Sequence, residues 1–513
     1  MKKPKLIYYN DGRHYSFYRY DPPMSLHQLR QPVDELLGTG VDTLSYGLAS
    51  GQTFFHDTRV GVQWGDVEGR HNHGVMWWRA AENAKQAIAA GNDVLRVVVD
   101  RAREKGLQVL CSMRMNDAST ESNLYMMSRL KREHPEVMIG EEAGGGHPYA
   151  ATAENYALPE VREERLRLIE EVMSYGPCGL EMDPYIGVFF QPSRARESAG
   201  ILTGFVREVR AMLDRLGRER GERLCLASRV YPSEEQNLGI GMDVRAWMRE
   251  GLVDLVVPRP PGQLFCPEMD IRWLLDAAGE AGTWVYVPHG RVPYDDRHRS
   301  LTMEMRRAAA SNFHAMGADG AYLSDLPWPH DSDSYQALRE LGDPDIYARR
   351  SKQFLVPVRD AEADEFAQER HLPRELEEGA KVAVPFLVGD RLREAEADGE
   401  VDRVELRVRI LQYCPEDVLG FTFNGTEITP ARTSHFYGGL VSYGAARGGL
   451  PERIDTHYWF SFDLPSALVQ EGINDLEVVL KRRYAPLESA RVLQSVELRI
   501  DYVEPPATAG GQM

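Results

Sequence analysis

Short apolar segments alternate with segments of helical periodicity along the first two thirds of the chain. The apolar segments contain four to seven residues each, and polar residues follow most of them. Regular alternation of strands with helices predicts a parallel sheet, and eight such units close into a (β/α)8 barrel. The predicted strands cover residues 6–9, 41–47, 107–113, 179–183, 224–230, 252–258, 284–287 and 320–325.

The pattern changes after about residue 350. A charge-rich stretch at 351–381 comes first, and six segments with a period of two residues then follow: 382–388, 404–410, 420–423, 458–462, 476–480 and 496–500. Short alternating strands without helices between them predict an antiparallel β-sandwich. The predicted fold class is therefore α/β, a (β/α)8 barrel (1–350) followed by a linker (351–381), a sandwich (382–505) and a disordered tail (506–513).

The fourth predicted strand ends in acid. Glu181 and Asp183 point to one face of this strand, and Leu180 and Met182 to the other, because side chains alternate along a strand. Two carboxylates on one face are costly in an apolar core. They suit a face that looks into a barrel whose mouth holds the chemistry. We therefore predict Glu181 and Asp183 as catalytic residues.

Polar and aromatic residues also follow the other predicted strands. The carboxyl ends of barrel strands form the usual active-site face, and sugars bind there through polar groups for their hydroxyls and flat rings for their C–H faces. We expect a carbohydrate substrate. The predicted substrate-binding residues are Asn10, Asp11, Tyr46, Arg114, Asn116, Tyr185, Arg229, Tyr231, Arg259, His289, Asp325 and Trp328.

Glycoside hydrolysis needs two carboxyl groups, about 5–5.5 Å apart for retention and about 6.5–9.5 Å apart for inversion. Asp183 is the predicted nucleophile or base. Glu181 is expected to pair with Arg114 or Arg229 on a neighbouring strand and so to hold Asp183 ionised. The general acid stays open among four residues after strands or in loops: Asp117, which we name as the third catalytic candidate, Glu142, Glu268 and Asp325.

Two other functions fit the same residues. A metal-assisted sugar isomerase, epimerase or lyase would use Glu181, Asp183 and His289, whereas a barrel that binds sugar without turnover would need no acid. His71 and His73 lie two residues apart, but in a loop rather than after a strand. We predict neither a metal nor another cofactor.

Composition narrows the partners. The formal net charge is −18 and no basic stripe is present, which argues against nucleic acid. No apolar run is long enough to span a membrane. The five cysteines are scattered, which is typical of free thiols in a reducing compartment. We expect a cytoplasmic protein, and the sequence leaves its oligomeric state open, with a homo-oligomer among the alternatives.

Several segments resemble the glycoside-hydrolase-like family 10 barrels. They are 159–162 (Pro-Glu-Val-Arg) followed by a helix and 179–183 (Gly-Leu-Glu-Met-Asp), then 243–254 and 307–322. The resemblance implies a (β/α)8 fold, carbohydrate-directed activity, motif positions at Glu181 and Asp183, and a C-terminal sandwich. The chain departs from the family after Asp183, where relatives often carry an aromatic residue, Met and Arg. Residues 184–186 are Pro-Tyr-Ile, which implies an altered subsite or lost activity.

Overall fold

Eight parallel strands form a closed barrel, so the predicted fold is confirmed. Each strand pairs with the next in the chain, and closure comes from pairing of the eighth strand with the first, where Leu6 lies opposite Ala321. The strands are β1 Leu6–Asn10, β2 Thr43–Gly47, β3 Gln108–Arg114, β4 Gly179–Asp183, β5 Cys225–Val230, β6 Leu255–Pro258, β7 Trp284–His289 and β8 Gly320–Leu323.

The structure is a computed structural model. It describes residues 1–50, 53–66, 74–116, 127–140, 150–185, 187–259, 264–265, 267, 269–290, 292–293, 300–324, 326–327, 329–358, 371–438 and 455–503. The predicted disordered tail, residues 506–513, lies outside these ranges.

Helices follow the barrel strands and end where the sequence signals a stop. Helix α3 (Val94–Lys105) has Asp93 as its N-cap, with the carboxylate accepting from the backbone N–H groups of Leu95 and Arg96, and it ends at the left-handed Gly106. Pro159 opens α4 (Pro159–Met173), where its missing N–H costs nothing. The helices that we number are α1 Leu26–Asp34, α2 Val75–Ala89, α3 Val94–Lys105, α4 Pro159–Met173, α5 Ala199–Arg220, α6 Val244–Arg249, α7 Arg272–Ala281, α8 Met303–Met316 and α9 Ser332–Glu340. Short helices lie at Arg129–Glu133, Glu234–Gly239, Pro344–Tyr347 and Leu392–Ala397.

The excursion from the barrel between β2 and β3 contains strands of its own. After β2, the strands Ala49–Ser50, Thr53–Phe54 and Val62–Gln63 form a small sheet. The buried His56 of this excursion contacts the Glu171 carboxylate of α4, which also accepts the backbone N–H of Arg59. The excursion is therefore fixed to the outside of the barrel in its first part.

Side chains inside the barrel form layers. Register partners on neighbouring strands point to the same side of the sheet, and the alternation sends Gly179, Glu181 and Asp183 inwards with the residues opposite them on β3 and β5. From the bottom of the barrel to its mouth, the layers are Leu110, Gly179 and Cys225; then Ser112, Glu181 and Ala227; then Arg114, Asp183 and Arg229. Charge therefore increases towards the carboxyl ends of the strands.

The chain divides into two compact units. The first contains all eight barrel strands, and the second contains the strands from Lys352 onwards together with α8. Helix α8 lies inside the predicted domain 1–350 but groups with the second unit. There, the Asn312 side chain donates to the Leu387 carbonyl at 3.1 Å and accepts from the Gly389 N–H at 2.7 Å.

The second unit is an antiparallel β-sandwich, as predicted. One sheet contains β9 Lys352–Leu355, β10 Arg374–Leu376, β12 Val401–Leu411, β15 Arg432–Gly438, β16 Asp455–Asp463 and β18 Arg491–Tyr502. The other contains β11 Lys381–Val388, β13 Val418–Phe423, β14 Thr426–Ile428 and β17 Gly472–Arg482. The alternating residues Leu406, Val408 and Ile410 are fully buried in a core shared with both sheets.

Two strands of this sandwich lie within the segment 351–381 that the sequence predicted as a linker. Strands β9 and β10 both pair with β18. Because these strands contain charged residues, they do not show the apolar alternation from which strands were predicted. Lys352 is nevertheless buried, and it forms an ion pair with Asp390 at 3.0 Å. Asn424 and Gly425 form the two-residue turn of a hairpin between β13 and β14, with both residues at positive φ.

Candidate active site

One guanidinium group connects the two carboxylates of β4. Arg229 donates from Nε to Oε1 of Glu181 at 2.9 Å and from Nη1 to Oδ2 of Asp183 at 3.1 Å. Its Nη2 donates to the Tyr322 hydroxyl at 2.7 Å. Arg229 reaches down to Glu181 because its strand carries the small Ala227 in the layer below. We call Glu181, Asp183, Arg229 and Tyr322 the Asp183 network.

Glu181 is completely buried and engaged through one oxygen. Its Oε1 accepts from Ser112 Oγ at 2.7 Å, from Tyr322 at 3.1 Å and from Arg229. In the described part of the chain, its Oε2 has no hydrogen-bond partner. The expected pairing of Glu181 with an arginine of a neighbouring strand therefore forms, and Arg229 is the arginine that makes it. Glu181 lies one layer below the mouth, where it orients Arg229.

Asp183 is the carboxylate nearest the mouth on β4. It is almost fully buried, and its Oδ1 accepts from the Tyr185 N–H at 3.0 Å and lies 3.5 Å from Arg259 Nη1. Burial alone would raise the pKa of Asp183. The positive charges of Arg229, Arg259 and Arg114 outweigh burial and hold this pKa below its ordinary value. Asp183 is therefore ionised at neutral pH.

Two tyrosines that the sequence analysis missed complete the surroundings of Arg229. Its guanidinium carbon lies 4.2 Å from the ring centroid of Tyr9 and 5.3 Å from that of Tyr322. Burial raises the pKa of Tyr9 to about 12, so its hydroxyl stays neutral. Both tyrosines occupy inward positions, on β1 and β8. The alternation of side-chain direction along those strands was the signal that could have found them.

Tyr185 covers Arg114 at the mouth. The Arg114 guanidinium carbon lies 3.8 Å from the Tyr185 ring centroid. Tyr185 has φ +47°, a left-handed conformation that is uncommon for a bulky residue. The next described residue, Gly187, closely approaches the hydroxyl of Tyr231. The turn after Asp183 thus brings Tyr185 and Tyr231, two predicted substrate-binding residues, to the same region.

Asp11 provides a second carboxylate after β1. It follows the inward Tyr9 by two residues, and its Oδ1 accepts from the backbone N–H of His14 at 2.7 Å. Its other oxygen contacts His14 Nδ1. Burial would raise the pKa of Asp11, but His14 and Arg13 outweigh that effect and lower it. Asp11 is therefore ionised like Asp183 and is better suited to accept hydrogen bonds than to donate a proton.

Asn10, Tyr46 and His289 occupy outward positions of the barrel alternation, unlike the residues of the Asp183 network. All three are buried. Asn10 Oδ1 accepts from the Gly12 N–H at 2.8 Å, and the Tyr46 ring packs where a Cβ on Gly12 would lie. These contacts support the turn after β1.

Asn116 is also fully buried, and its side chain joins two loops. Its Nδ2 donates to the carbonyls of Glu154 at 2.8 Å and Val188 at 2.7 Å, and its Oδ1 accepts from the Glu154 N–H at 3.0 Å. The Asn116 amide thus forms hydrogen bonds with backbone groups of both loops.

Several predicted residues lie outside the described ranges: the catalytic candidate Asp117, the binding candidates Asp325 and Trp328, the further acid candidates Glu142 and Glu268, and His71 and His73. Within the described ranges, no group of three or more His, Cys, Asp or Glu side chains could hold a metal ion. No helix of the same ranges is long and apolar enough to cross a membrane.

No protein-family model and no curated protein matches this chain. Similar solved structures include a cycloisomaltooligosaccharide glucanotransferase from Paenibacillus sp. complexed with cycloisomaltoheptaose, at 10% identity over 96% of this chain and 57% of that chain, with a TM-score of 0.35. An alpha-galactosidase from Thermus thermophilus is 16% identical over 70% and 65%, with a TM-score of 0.35. The alpha-L-fucosidase isoenzyme 2 from Paenibacillus thiaminolyticus is 10% identical over 69% and 51%, with a TM-score of 0.41.

This chain thus spans between half and two thirds of the length of those three proteins. Because the TM-scores are below 0.5, the likenesses carry no argument about activity. The chemistry must be argued from the residues of the barrel itself.

Proposed function

We propose that this protein is a glycoside hydrolase that acts on an oligosaccharide or small glycoside, with Asp183 as its nucleophile or base. The observation that carries the proposal is an ionised carboxylate at the carboxyl end of β4, held by Arg229 of the neighbouring β5 and by Arg259, which follows β6. Active sites of (β/α)8 barrels lie at this end, and a glycosidase needs one carboxylate that stays charged. The resemblance to glycoside-hydrolase-like family 10 supports the same assignment.

The lowered pKa of Asp183 supports the role of nucleophile or base within a carboxyl pair. A general acid must hold a proton at working pH, so its pKa is raised, whereas a nucleophile or base must be ionised. Asp183 fits the second role. The acid must come from another carboxyl group, and Asp117, Glu142, Glu268 and Asp325 stay the candidates for it.

Glu181 acts in this proposal as a positioning residue. It fixes Arg229 from below, with Ser112 and Tyr322 holding its Oε1 in place. Arg229 then orients Asp183 Oδ2, while the Tyr185 N–H fixes Oδ1. Both oxygens have defined hydrogen bonds, so the carboxylate is pre-organised either to attack an anomeric carbon or to take a proton from the water that attacks it.

The test is the substitution Asp183→Asn, which keeps the shape and removes the charge. We expect kcat on p-nitrophenyl glycosides of a panel of sugars to fall by at least about 100-fold, the lower range for a positioned acid or base. Asp214→Asn, at a partly exposed carboxylate of α5 that pairs with Arg210, is the matched control and should keep full activity. Unchanged turnover in Asp183→Asn would refute the assignment.

A barrel that binds sugar without turnover is the second candidate. It is favoured by one observation: both oxygens of Asp183 already accept hydrogen bonds in this structure, as in a purely structural ion pair. Binding of a sugar to the wild-type protein by calorimetry, with no hydrolysis of the panel, would select this function.

A further inference from the structure

Three guanidinium groups act on the Asp183 carboxylate, those of Arg229, Arg259 and Arg114. Arg229 is paired with Glu181 as well as with Asp183. The whole chain has a formal net charge of −18. An acidic protein thus gathers three arginines beside its proposed nucleophile.

The guanidinium group of Arg229 is not accessible to a ligand. It is buried, and its Nε, Nη1 and Nη2 donate to Glu181, Asp183 and Tyr322. Its guanidinium is also covered by the Tyr9 ring. Its role is internal to the network.

Arg259 differs from Arg229 in its exposure and in its hydrogen bonds. About a third of its side chain (32%) is exposed. Its Nη1 lies 3.5 Å from Asp183 Oδ1, the outer limit of a hydrogen bond. Within the described ranges, this is the one hydrogen bond or ion pair of its side chain. A guanidinium has five N–H donors in a planar fork. Arg259 follows the inward Val257 by two residues, so alternation directs it towards the mouth. It therefore offers donors beside the nucleophile.

We infer that Arg259 binds an anionic group of the sugar, so that the preferred substrate is an anionic glycoside, a uronide or a sulfated sugar. This inference rests on the proposed glycosidase function. The fork of an arginine matches a carboxylate or sulfate bidentately. An anionic sugar next to Asp183 would be repelled by its carboxylate, and the guanidinium charge of Arg259 offsets this repulsion. A neutral sugar needs no such cation.

The experiment compares matched p-nitrophenyl substrates with the full-length protein. Glucoside is set against glucuronide and 6-sulfoglucoside, and galactoside against galacturonide and 6-sulfogalactoside, in both anomers. We expect kcat/KM to be at least about tenfold higher for one anionic member, as for one charge-assisted hydrogen bond. The two anionic arms distinguish a carboxylate from a sulfate.

Substitution of Arg259 then tests the residue. In Arg259→Met, the anionic-to-neutral ratio of kcat/KM should fall by about tenfold or more. Arg259→Lys should retain part of the ratio, because it keeps the charge and loses the fork. Arg272→Met, at a 76% exposed arginine of α7, is the control and should keep the wild-type ratio.

The outcomes separate this inference from the proposed function. Turnover that favours neutral glycosides, or a ratio that Arg259→Met leaves unchanged, overturns the inference and leaves the glycosidase standing. Absence of turnover on every substrate overturns the glycosidase. In that case, calorimetry with glucuronate, galacturonate and the 6-sulfates decides the inference: binding that is weakened in Arg259→Met supports it, and absence of binding refutes it.

Discussion

Arg229 is the residue whose removal should damage the barrel most. The substitution Arg229→Met keeps the length of the side chain and removes the charge. It leaves Glu181 and Asp183, which are at most 2% exposed, without the group that donates to both. Removing one partner of a buried ion pair costs about 3–5 kcal/mol, because the remaining charge stays buried. Two carboxylates and the Tyr322 hydroxyl lose a donor here, so we expect the upper half of that range.

The sign of the pH dependence follows from the pKa of Asp183. In the wild type, this pKa is lowered, so the stability from Asp183 is present above the unfolded-state pKa of about 3.9 and is lost as pH falls through the lower folded value. Without Arg229, the positive charge that lowers the pKa of Asp183 most is gone, so this pKa rises. The difference in unfolding free energy between variant and wild type should therefore be largest at pH 7 and should shrink in acid.

Urea unfolding followed by tryptophan fluorescence suits this measurement. Seven of the eight tryptophans precede residue 350, and only Trp459 lies in the sandwich, so the signal reports mainly on the first unit. Arg207→Met is the control. It breaks a two-bond pair with Glu250 of similar geometry, at 2.6 and 2.9 Å, but at the surface, where such pairs contribute little.

If Arg229→Met unfolds at pH 7 with the same urea midpoint as Arg207→Met, the reasoning is refuted. A difference from wild type that grows in acid would refute it as well. The triple variant with Glu181→Gln and Asp183→Asn in addition should recover much of the lost stability, because no unpaired charge of the network then stays buried.

Two further predictions test the electrostatics and the packing of the same strands. Arg259→Met should raise the pKa of Asp183, so the acid limb of the pH profile of kcat/KM, which lies below the ordinary pKa of Asp in the wild type, should move to higher pH; an unmoved limb would contradict the role of Arg259. Gly179→Ala should destabilise the barrel by about 1–3 kcal/mol or more in urea unfolding, because its Cβ would overlap the Cys225 carbonyl and lie 2.9 Å from Leu110. Gly204→Ala in α5 meets open space and should instead stabilise the protein by about 0.5–1 kcal/mol; equal effects of the two substitutions would argue against the layer packing.

Local pattern was sufficient for the fold. Short apolar segments between helical segments predict strands, and eight such units predict the barrel that the structure confirms. The pattern was insufficient where polar or charged residues form strands, as in β9 and β10, because their partner is the distant β18. Pairing with a remote strand leaves no periodic signal in the short segment itself.

The same division holds for the site. The alternation of β4 determined that Glu181 and Asp183 share one face, and the order of the strands determined that arginines of β3 and β5 flank them. Asn10 and His289 were expected at the mouth because they directly follow predicted strands, and Tyr46 because it lies near the end of one. Alternation places them on the outward face, since position along a strand does not specify direction.

Only the tertiary structure decided that Tyr322 donates to Glu181 and that Tyr9 stacks against Arg229. Tyr322 and Glu181 are 141 residues apart in the chain. They meet because the barrel closes by pairing β8 with β1, which brings side chains from strands that are far apart in the chain into one interior. The sequence by itself determines which residues face inwards, through the geometry of each strand. Which inward residues touch depends on register and closure, which are properties of the whole sheet.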